Sequence, residues 1–171
     1  MDAVSIRQRP ADVEDRSVPG HWEGDLITGS KNTHIATLVE RRSRYTVLVK
    51  VAGKDTTSVT SALTRQVLEL PTQLRRSLTW DRGMEMAKHR EFSIATDVQV
   101  YFCDPQSPWQ RGTNENTNRL LRQYLPKGAE LSVHSQSDLD EIALRLNQRP
   151  RKTLGYQSPA ERFMDCVALT G

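Results

Sequence analysis

Residues 21–51 read HWEGDLITGSKNTHIATLVERRSRYTVLVKV, and this stretch decides the fold. Its β-branched and aromatic residues fall into three runs, which are separated by Gly29-Ser30 and by a basic turn at 41–44. Runs of this composition between turn residues are typical of β-strands. Because the connections are short, we predict three neighbouring strands that form an antiparallel meander.

After residue 51 the hydrophobic period changes from that of a strand to that of a helix. Apolar residues recur along one helical face at Val59, Leu63, Val67 and Leu70. Side chains that can cap a helix precede this face at 55–58, and Pro71 follows it. We therefore predict a helix between these two signals.

The rest of the chain alternates strands with helices. Strands are predicted at 77–80 and 98–102, and helices at 86–96, 109–124, 137–147 and after Ser158-Pro159. The helix at 137–147 is predicted to begin with Ser137 and Glu141 as its capping pair. This order predicts an α/β fold with a five-stranded mixed sheet, in which two parallel strands join the meander and helices flank it.

Length and composition indicate one folded domain. The 171 residues suffice for a core without disulfides, and 36% hydrophobic with 26% charged residues is not the composition of a disordered chain. We expect a polar leader or linker over 1–20 with order beginning near Trp22, the domain over 21–165, and a tail over 166–171. Lys and Arg exceed Asp and Glu by 24 − 21 = 3, which permits an acidic partner.

Several classes of site are disfavoured by what the sequence lacks. Cys103 and Cys166 have no metal-ligand spacing and are too few for a disulfide framework, which favours a reducing, cytoplasmic location. The four histidines are scattered, so a zinc site is not expected. Ser107 and Ser158 lack the context of a hydrolase nucleophile. No apolar run approaches membrane length, so no membrane partner is expected.

Three acids occupy positions that suit a metal site. Asp25 lies inside an apolar strand, Asp81 follows the end of another strand, and Glu115 lies in the first turns of a helix. An unpaired carboxylate in a strand core costs several kcal/mol, so Asp25 needs a partner or a metal. Carboxylates without a His-Cys set favour Mg²⁺ or Mn²⁺, and two such ions can promote phosphodiester displacement. Glu23 shares the strand face of Asp25, and spacing alone does not choose between them.

Polar and basic residues near Glu115 suit contact with sugar-phosphate and unstacked bases. They are Trp109, Gln110, Arg111, Asn114, Asn118, Arg119 and Arg122. A surface salt bridge for Arg122 and a core position for Trp109 are the alternatives. Two further basic clusters either follow phosphates or form a solvated face: Arg41, Arg42 and Arg44, and Arg145, Arg149, Arg151 and Lys152.

Four blocks resemble the transposases of the IS-thirty insertion-sequence family, within the retroviral-integrase-like group. They are WEGDLI at 22–27, TWDRG at 79–83, DPQSPWQRGTNEN at 104–116 and NQRPRKTLGY at 147–156. The likeness runs from about residue 10 to 163. Between the second and third acids there are 115 − 81 − 1 = 33 residues, close to the usual interval of that group.

The resemblance implies a ribonuclease H-like fold and an Asp-Asp-Glu triad at Asp25, Asp81 and Glu115 that holds Mg²⁺ or Mn²⁺, as two ions. It implies that metal-activated water cleaves at the ends of a mobile element, after which the freed hydroxyl attacks target DNA. Arg122 matches the basic residue that follows the Glu. Double-stranded DNA, both insertion-sequence ends and target, is the implied partner, with Arg149 and Lys152 as further contacts. An active homo-oligomer in the bacterial cytoplasm, associated with the nucleoid, is expected.

One departure from the family leaves an alternative function open. Its members carry a helix-turn-helix region before the core, whereas this chain begins almost at the core, as a truncated open reading frame or an excised segment does. The alternative is a non-enzymatic core that binds DNA or full-length transposase and inhibits transposition. A ribonuclease that cuts RNA in hybrids is a third possibility, which the block at 109–116 disfavours.

Overall fold

Within the residues that the structure describes, the sheet has six strands. The computed structural model describes residues 4–6, 18–80, 88–103 and 112–170. The strands are β1 (Val4–Ser5), β2 (His21–Thr28), β3 (His34–Glu40), β4 (Thr46–Lys50), β5 (Ser77–Trp80) and β6 (Gln99–Phe102). Their order is β1-β6-β5-β2-β3-β4, with β2, β3 and β4 antiparallel and β1, β6, β5 and β2 parallel. The predicted meander and its two added parallel strands are confirmed.

Helices cover both faces of the sheet. They are α1 (Thr56–Val67), α2 (His89–Thr96), α3 (Gly112–Leu121), α4 (Gln136–Gln148) and α5 (Pro159–Thr170). Apolar residues of α1, α2 and α5 share one core with Trp22 and Trp80, whereas residues of α3 and α4 share a second core with Ile27. Among the helices of the described residues, none combines the length and apolar character that crossing a bilayer requires.

The sixth strand departs from the prediction that order begins near Trp22. Val4 and Ser5 pair in parallel with Tyr101 and Phe102 of β6, and Ile6 is buried. Two residues are too few to show an alternating pattern, and their partner strand lies nearly a hundred residues away. The beginning of the predicted leader therefore adds an edge strand to the sheet.

Gly24 allows β2 to pack closely against β5. A Cβ atom at this position would lie 2.3 Å from Trp80 Cε3 and 2.4 Å from Trp80 Cζ3, which is too close for any side chain. The Trp80 ring is fully buried over this glycine, and the Cys103 amide donates a hydrogen bond of 2.9 Å to the Trp80 carbonyl oxygen. Trp80, the residue before Asp81, is thus held by β2 through its ring and by Cys103 through its carbonyl oxygen.

Helix α4 begins with a different capping pair from the one predicted. The Ser135 side chain accepts a hydrogen bond from the Asp138 amide, and the Asp138 carboxylate accepts one from the Ser135 amide. This is the three-residue spacing of a capping box, whereas Ser137 and Glu141 are four residues apart. Glu141 instead forms an exposed ion pair of 3.2 Å with Arg145.

The edge of strand β4 is covered by two amide side chains of α4. Asn147 accepts from the Thr46 amide and donates to the Thr46 carbonyl oxygen, each at 2.9 Å. Gln136 accepts from the Lys50 amide at 2.8 Å and donates to the Leu48 carbonyl oxygen at 2.7 Å. Side chains thereby satisfy backbone groups that an edge strand otherwise leaves unpaired.

Candidate active site

The carboxylate of Asp25 is held between strand β2 and helix α3. Its Oδ1 atom accepts a hydrogen bond of 2.8 Å from the Leu26 amide, and Oδ2 accepts one of 2.9 Å from Asn118 Nδ2. Asn118 is itself oriented, because the Thr37 hydroxyl lies 3.4 Å from Asn118 Oδ1. Thr37 is the cross-strand neighbour of Asp25 on β3. The carboxylate is partly exposed and has a defined orientation.

Helix α3 carries the third predicted acid. Glu115 lies within the helix Gly112–Leu121, three positions before Asn118. The side chains of 112–115, which include the predicted ligand Glu115 and the predicted DNA contact Asn114, lie outside the described residues. The hydrogen bond from Asn118 to Asp25 therefore fixes which part of α3 approaches β2.

The second predicted acid follows a well-anchored strand. Asp81 lies outside the described residues, as do the predicted DNA contacts Trp109 and Arg111. Strand β5 ends at Trp80, immediately before it, and pairs in parallel with β2 so that Thr79 is the neighbour of Glu23. Strand β5 therefore ends beside β2, the strand that carries Asp25.

Glu23 has a structural role that the sequence left open. Its carboxylate is completely buried and lies 2.6 Å from Arg41 Nη1, and the Arg41 side chain is itself only 6% exposed. Glu23 and Asp25 lie on the same face of the sheet, because they are two residues apart in β2. Of the two acids on this face, Glu23 binds a buried guanidinium and Asp25 meets helix α3.

The interpretation of the first basic cluster as a phosphate-following surface is wrong for Arg41. This residue is buried in its ion pair with Glu23. Arg44 is partly exposed, and its Nη1 donates to the Arg41 carbonyl oxygen. Arginines in a run look alike in the sequence, but the turn between β3 and β4 directs the first of them inward.

A further polar pair lies where β2 begins, on the sheet face that carries Glu23 and Asp25. His21 Nδ1 and Ser77 Oγ are 2.7 Å apart, on neighbouring strands β2 and β5. Thr79, the next residue of β5 on this face, is fully buried beside Glu23. This face therefore carries partnered polar groups from the start of β2 as far as Asp25, and becomes apolar at Ile27.

The remaining predicted DNA contacts lie at or near the surface: Arg119, Arg122, Arg149 and Lys152. Arg122 donates to the Leu125 carbonyl oxygen at 3.3 Å, and Arg119 donates to the side chain of Asn116. Arg149 reaches Gln123 Oε1 at 3.2 Å and the Tyr124 hydroxyl at 3.1 Å. This last contact brings the segment after α4 beside the turn after α3.

Two residues that orient Asp25 were not identified from the sequence in that role. Asn118 was interpreted as a DNA contact, and Thr37 was interpreted only as a strand residue. The meander itself contains a signal for Thr37, because its register places this threonine opposite Asp25. For Asn118 the signal is its three-residue spacing from Glu115, which puts it on the same helical face.

Comparison with known proteins identifies similar sequences. The family described as integrase core domain matches residues 15–108. The chain is 57% identical over 170 residues to the transposase InsI for insertion sequence element IS30A of Escherichia coli (strain K12). That alignment covers 99% of this chain and 44% of that protein. It is also 57% identical over 168 residues to the transposase for insertion sequence element IS1086 of Cupriavidus metallidurans. That alignment covers 98% of this chain and 50% of that protein.

A solved structure has the same fold. The catalytic core domain of BIV integrase superposes with a TM-score of 0.68 at 19% sequence identity, covering 88% of this chain and 97% of that one. The fold is therefore the ribonuclease H-like fold of retroviral integrase cores. The chain spans about half the length of the curated relatives it matches. With its sheet order, helical crossovers and sequence in agreement, the chain belongs to the integrase core domain family.

Proposed function

We propose that this chain is the catalytic core of a DNA transposase, in which Asp25, Asp81 and Glu115 hold divalent metal for cutting and joining DNA strands. Its membership of the integrase core domain family supports the reaction class. The observation that carries the proposal is the hydrogen bond of 2.9 Å between Asn118 and Asp25. It joins the strand that carries the first acid to the helix that carries the third.

Strand register supports the convergence of the first two acids. Glu23 and Thr79 are neighbours in the parallel pair of β2 and β5. We propose that this register continues past the end of β5, which would bring position 81 beside position 25 on the same face, since side chains two residues apart share a face. Neighbouring strands lie about 4.8 Å apart, a separation at which two carboxylates can share a cation.

Helix periodicity supports the convergence of the third acid. Positions three apart on a helix are neighbours on one face, so Glu115 belongs to the same face as Asn118. Because Asn118 contacts Asp25, that face of α3 is the one directed at β2. The proposal thus places all three carboxylates where β2, β5 and α3 meet.

The donors fit a hard divalent cation. The Asp25 carboxylate offers two oxygens, which the Leu26 amide and the Asn118 side chain hold in a defined orientation. Oxygen ligands are those that Mg²⁺ and Mn²⁺ prefer, and the family typically uses divalent metal. When bound, a pair of such ions supplies an activated oxygen nucleophile and stabilises the leaving oxygen of a phosphodiester. Asn118 and the Leu26 amide keep the Asp25 carboxylate in place for this purpose.

DNA is the proposed substrate, at insertion-sequence ends and at the target site. Arg119 and Arg122 follow Glu115 on the same helix and the turn after it, and are the proposed contacts to DNA phosphates. The proposed active form is a homo-oligomer, because cutting element ends and joining them to a target brings several DNA strands together. The proposed location is the bacterial cytoplasm at the nucleoid, where both DNAs are found.

The test is metal-dependent nicking or strand transfer on DNA that carries insertion-sequence ends. Asp25→Asn, Asp81→Asn and Glu115→Gln keep the size of each side chain and remove its charge. We expect each to lower activity by about 100-fold or more, because a catalytic metal contributes several kcal/mol. Asp97→Asn is a matched control, since Asp97 is exposed and its left-handed backbone, at φ +59°, suits asparagine. Equal activity of wild type and Asp81→Asn would overturn the mechanism.

A further inference from the structure

Arg151 is an arginine that the proposed reaction does not use and that the fold nevertheless buries. The residue is only 9% exposed. Its amide donates to the Gln157 carbonyl oxygen at 3.0 Å, and its own carbonyl oxygen accepts from the amides of Leu154 at 3.0 Å and Tyr156 at 2.8 Å. These bonds close residues 151–157 into a compact loop, which we call the Arg151 loop. The backbone of Arg151 thus makes the hydrogen bonds that close this loop.

Among the described residues, no acceptor faces the edge of the Arg151 guanidinium that Nε and Nη2 form. Within the described part of the chain, neither Nε nor Nη2 has a hydrogen-bond partner, although both atoms are buried. A buried charge without a partner costs several kcal/mol. Burial and the neighbouring Arg149 both lower the pKa of Arg151, which reflects the same unfavourable environment for a cation. An anion at this position would relieve the cost.

The geometry of these two donors indicates the kind of ligand that they would bind. The Nε and Nη2 groups of an arginine present two nearly parallel N–H donors, which match two oxygens of a phosphate or carboxylate. The surroundings favour a phosphodiester strand over an isolated carboxylate. Lys152 and Arg149 are exposed neighbours of Arg151 in the chain and add positive charge, and Tyr156, in the same loop, is 69% exposed. Basic residues that follow the phosphate backbone of a nucleic acid, together with an exposed aromatic ring, are typical of sites that contact DNA strands.

We propose that Arg151 binds a phosphate of the DNA backbone through its Nε and Nη2 donors, and that the Arg151 loop is a DNA-binding element of this protein. The inference rests on the proposed function, because it takes its ligand from the DNA substrate. Residues 152, 153, 155 and 156 of the loop are exposed, so reorienting Arg151 towards a ligand involves a surface loop and leaves the sheet intact.

The experiment measures binding of a labelled DNA duplex by fluorescence anisotropy across a salt series, without divalent metal. Arg151→Met keeps the length of the apolar side chain and removes the donors. One lost phosphate contact lowers the slope of log affinity against log salt by about 0.9, and we expect that change together with weaker binding. Arg145→Met is the matched control, because Arg145 has the same charge but an exposed ion pair with Glu141. It should leave the slope unchanged.

A second measurement separates ligand binding from a structural role. Removing a buried, unpaired cation should leave the stability of Arg151→Met to urea unchanged or raise it. Arg151→Lys, which keeps the charge without the two-donor edge, should recover DNA binding only in part. Lower stability with unchanged DNA binding would overturn the inference. Equal losses of binding in Arg151→Met and Arg145→Met would also overturn it, since the effect would then be one of net charge.

The outcome is distinguishable from failure of the proposed function. Asp81→Asn should abolish strand cleavage and leave metal-free DNA binding intact. If wild type binds DNA through Arg151 but cleaves no better than Asp81→Asn, the inference stands and the catalytic proposal fails. If cleavage depends on Asp81 while Arg151→Met binds DNA as well as wild type, the catalytic proposal stands and the inference fails. A wild-type chain without measurable affinity for duplex DNA at low salt would overturn the inference directly.

Discussion

The ion pair between Glu23 and Arg41 predicts a large loss of stability when either partner is removed alone. With about 4 Å between the charge centres and an effective dielectric constant of about 20, the attraction is about 4 kcal/mol. Arg41→Met removes this attraction and leaves a carboxylate that is 0% exposed without its guanidinium. Breaking a buried pair from one side costs about 3–5 kcal/mol, so we expect the free energy of unfolding to fall by that amount.

The assay is a double-mutant cycle followed by urea unfolding. Arg41→Met, Glu23→Leu and the combined variant are compared with wild type. The combined variant should be close to wild type in stability, because replacing both charges by apolar groups removes the desolvation cost together with the attraction. Arg145→Met provides the exposed comparison: its partner Glu141 is 65% exposed, and the expected loss is below about 0.5 kcal/mol.

Two results would refute this reasoning. The first is an Arg41→Met variant within about 1 kcal/mol of wild type, which would mean that water or another group replaces the guanidinium at little cost. The second is a combined variant whose loss equals the sum of the single losses, which would mean that the two side chains do not depend on each other. Manganese binding by the combined variant should match wild type, because Glu23 is assigned to the fold and Asp25 to the metal.

Three further predictions concern single side chains. Asn118→Ala removes a donor to Asp25 and should weaken Mn²⁺ binding by about 10- to 100-fold in calorimetry, with unchanged affinity contradicting the orienting role. Hydrogen bonds from the Ser135 amide and hydroxyl lower the pKa of Asp138 in the folded state. The stability that this carboxylate contributes is therefore present above its unfolded pKa and is lost as the pH falls through its folded pKa. Asp138→Asn should reduce the dependence of the melting temperature on pH below about 4. Burial raises the pKa of Cys166 to about 11, so iodoacetamide should label it at neutral pH only after unfolding, as mass spectrometry can show; rapid labelling of the native chain would contradict this.

Local patterns predicted most of the sheet and helices because each was long enough to show a period. The three runs within 21–51 predicted the meander, and the structure adds the register that places Thr37 opposite Asp25. The helical period of Val59, Leu63 and Val67 matches residues that the structure buries in one core. The strand at Val4–Ser5 could not be predicted in this way, because it exists only through its pairing with β6.

The contacts that define the candidate site are long-range, and this is why the sequence did not show them. Asn118 meets Asp25 across 93 positions of the chain, and Arg41 meets Glu23 across 18. Arg41 also lies in a run of arginines, which resembles a phosphate-binding surface when considered alone. Only the turn between β3 and β4 shows that the first arginine points back towards β2.

The kind of partner that each acid of β2 receives separates the structural from the catalytic role. Glu23 is paired with a guanidinium, which neutralises its charge and would compete with a metal ion for the same oxygens. The partner that α3 supplies to Asp25 is a neutral amide, which orients the carboxylate and leaves its negative charge in place. The second arrangement suits the proposed metal site, because a neutral amide does not compete with a divalent cation for the charge of the carboxylate. On one face of one strand, two residues apart, the fold therefore places Glu23 in a buried ion pair and Asp25 against a neutral amide, which is the difference expected if Asp25 is the proposed metal ligand.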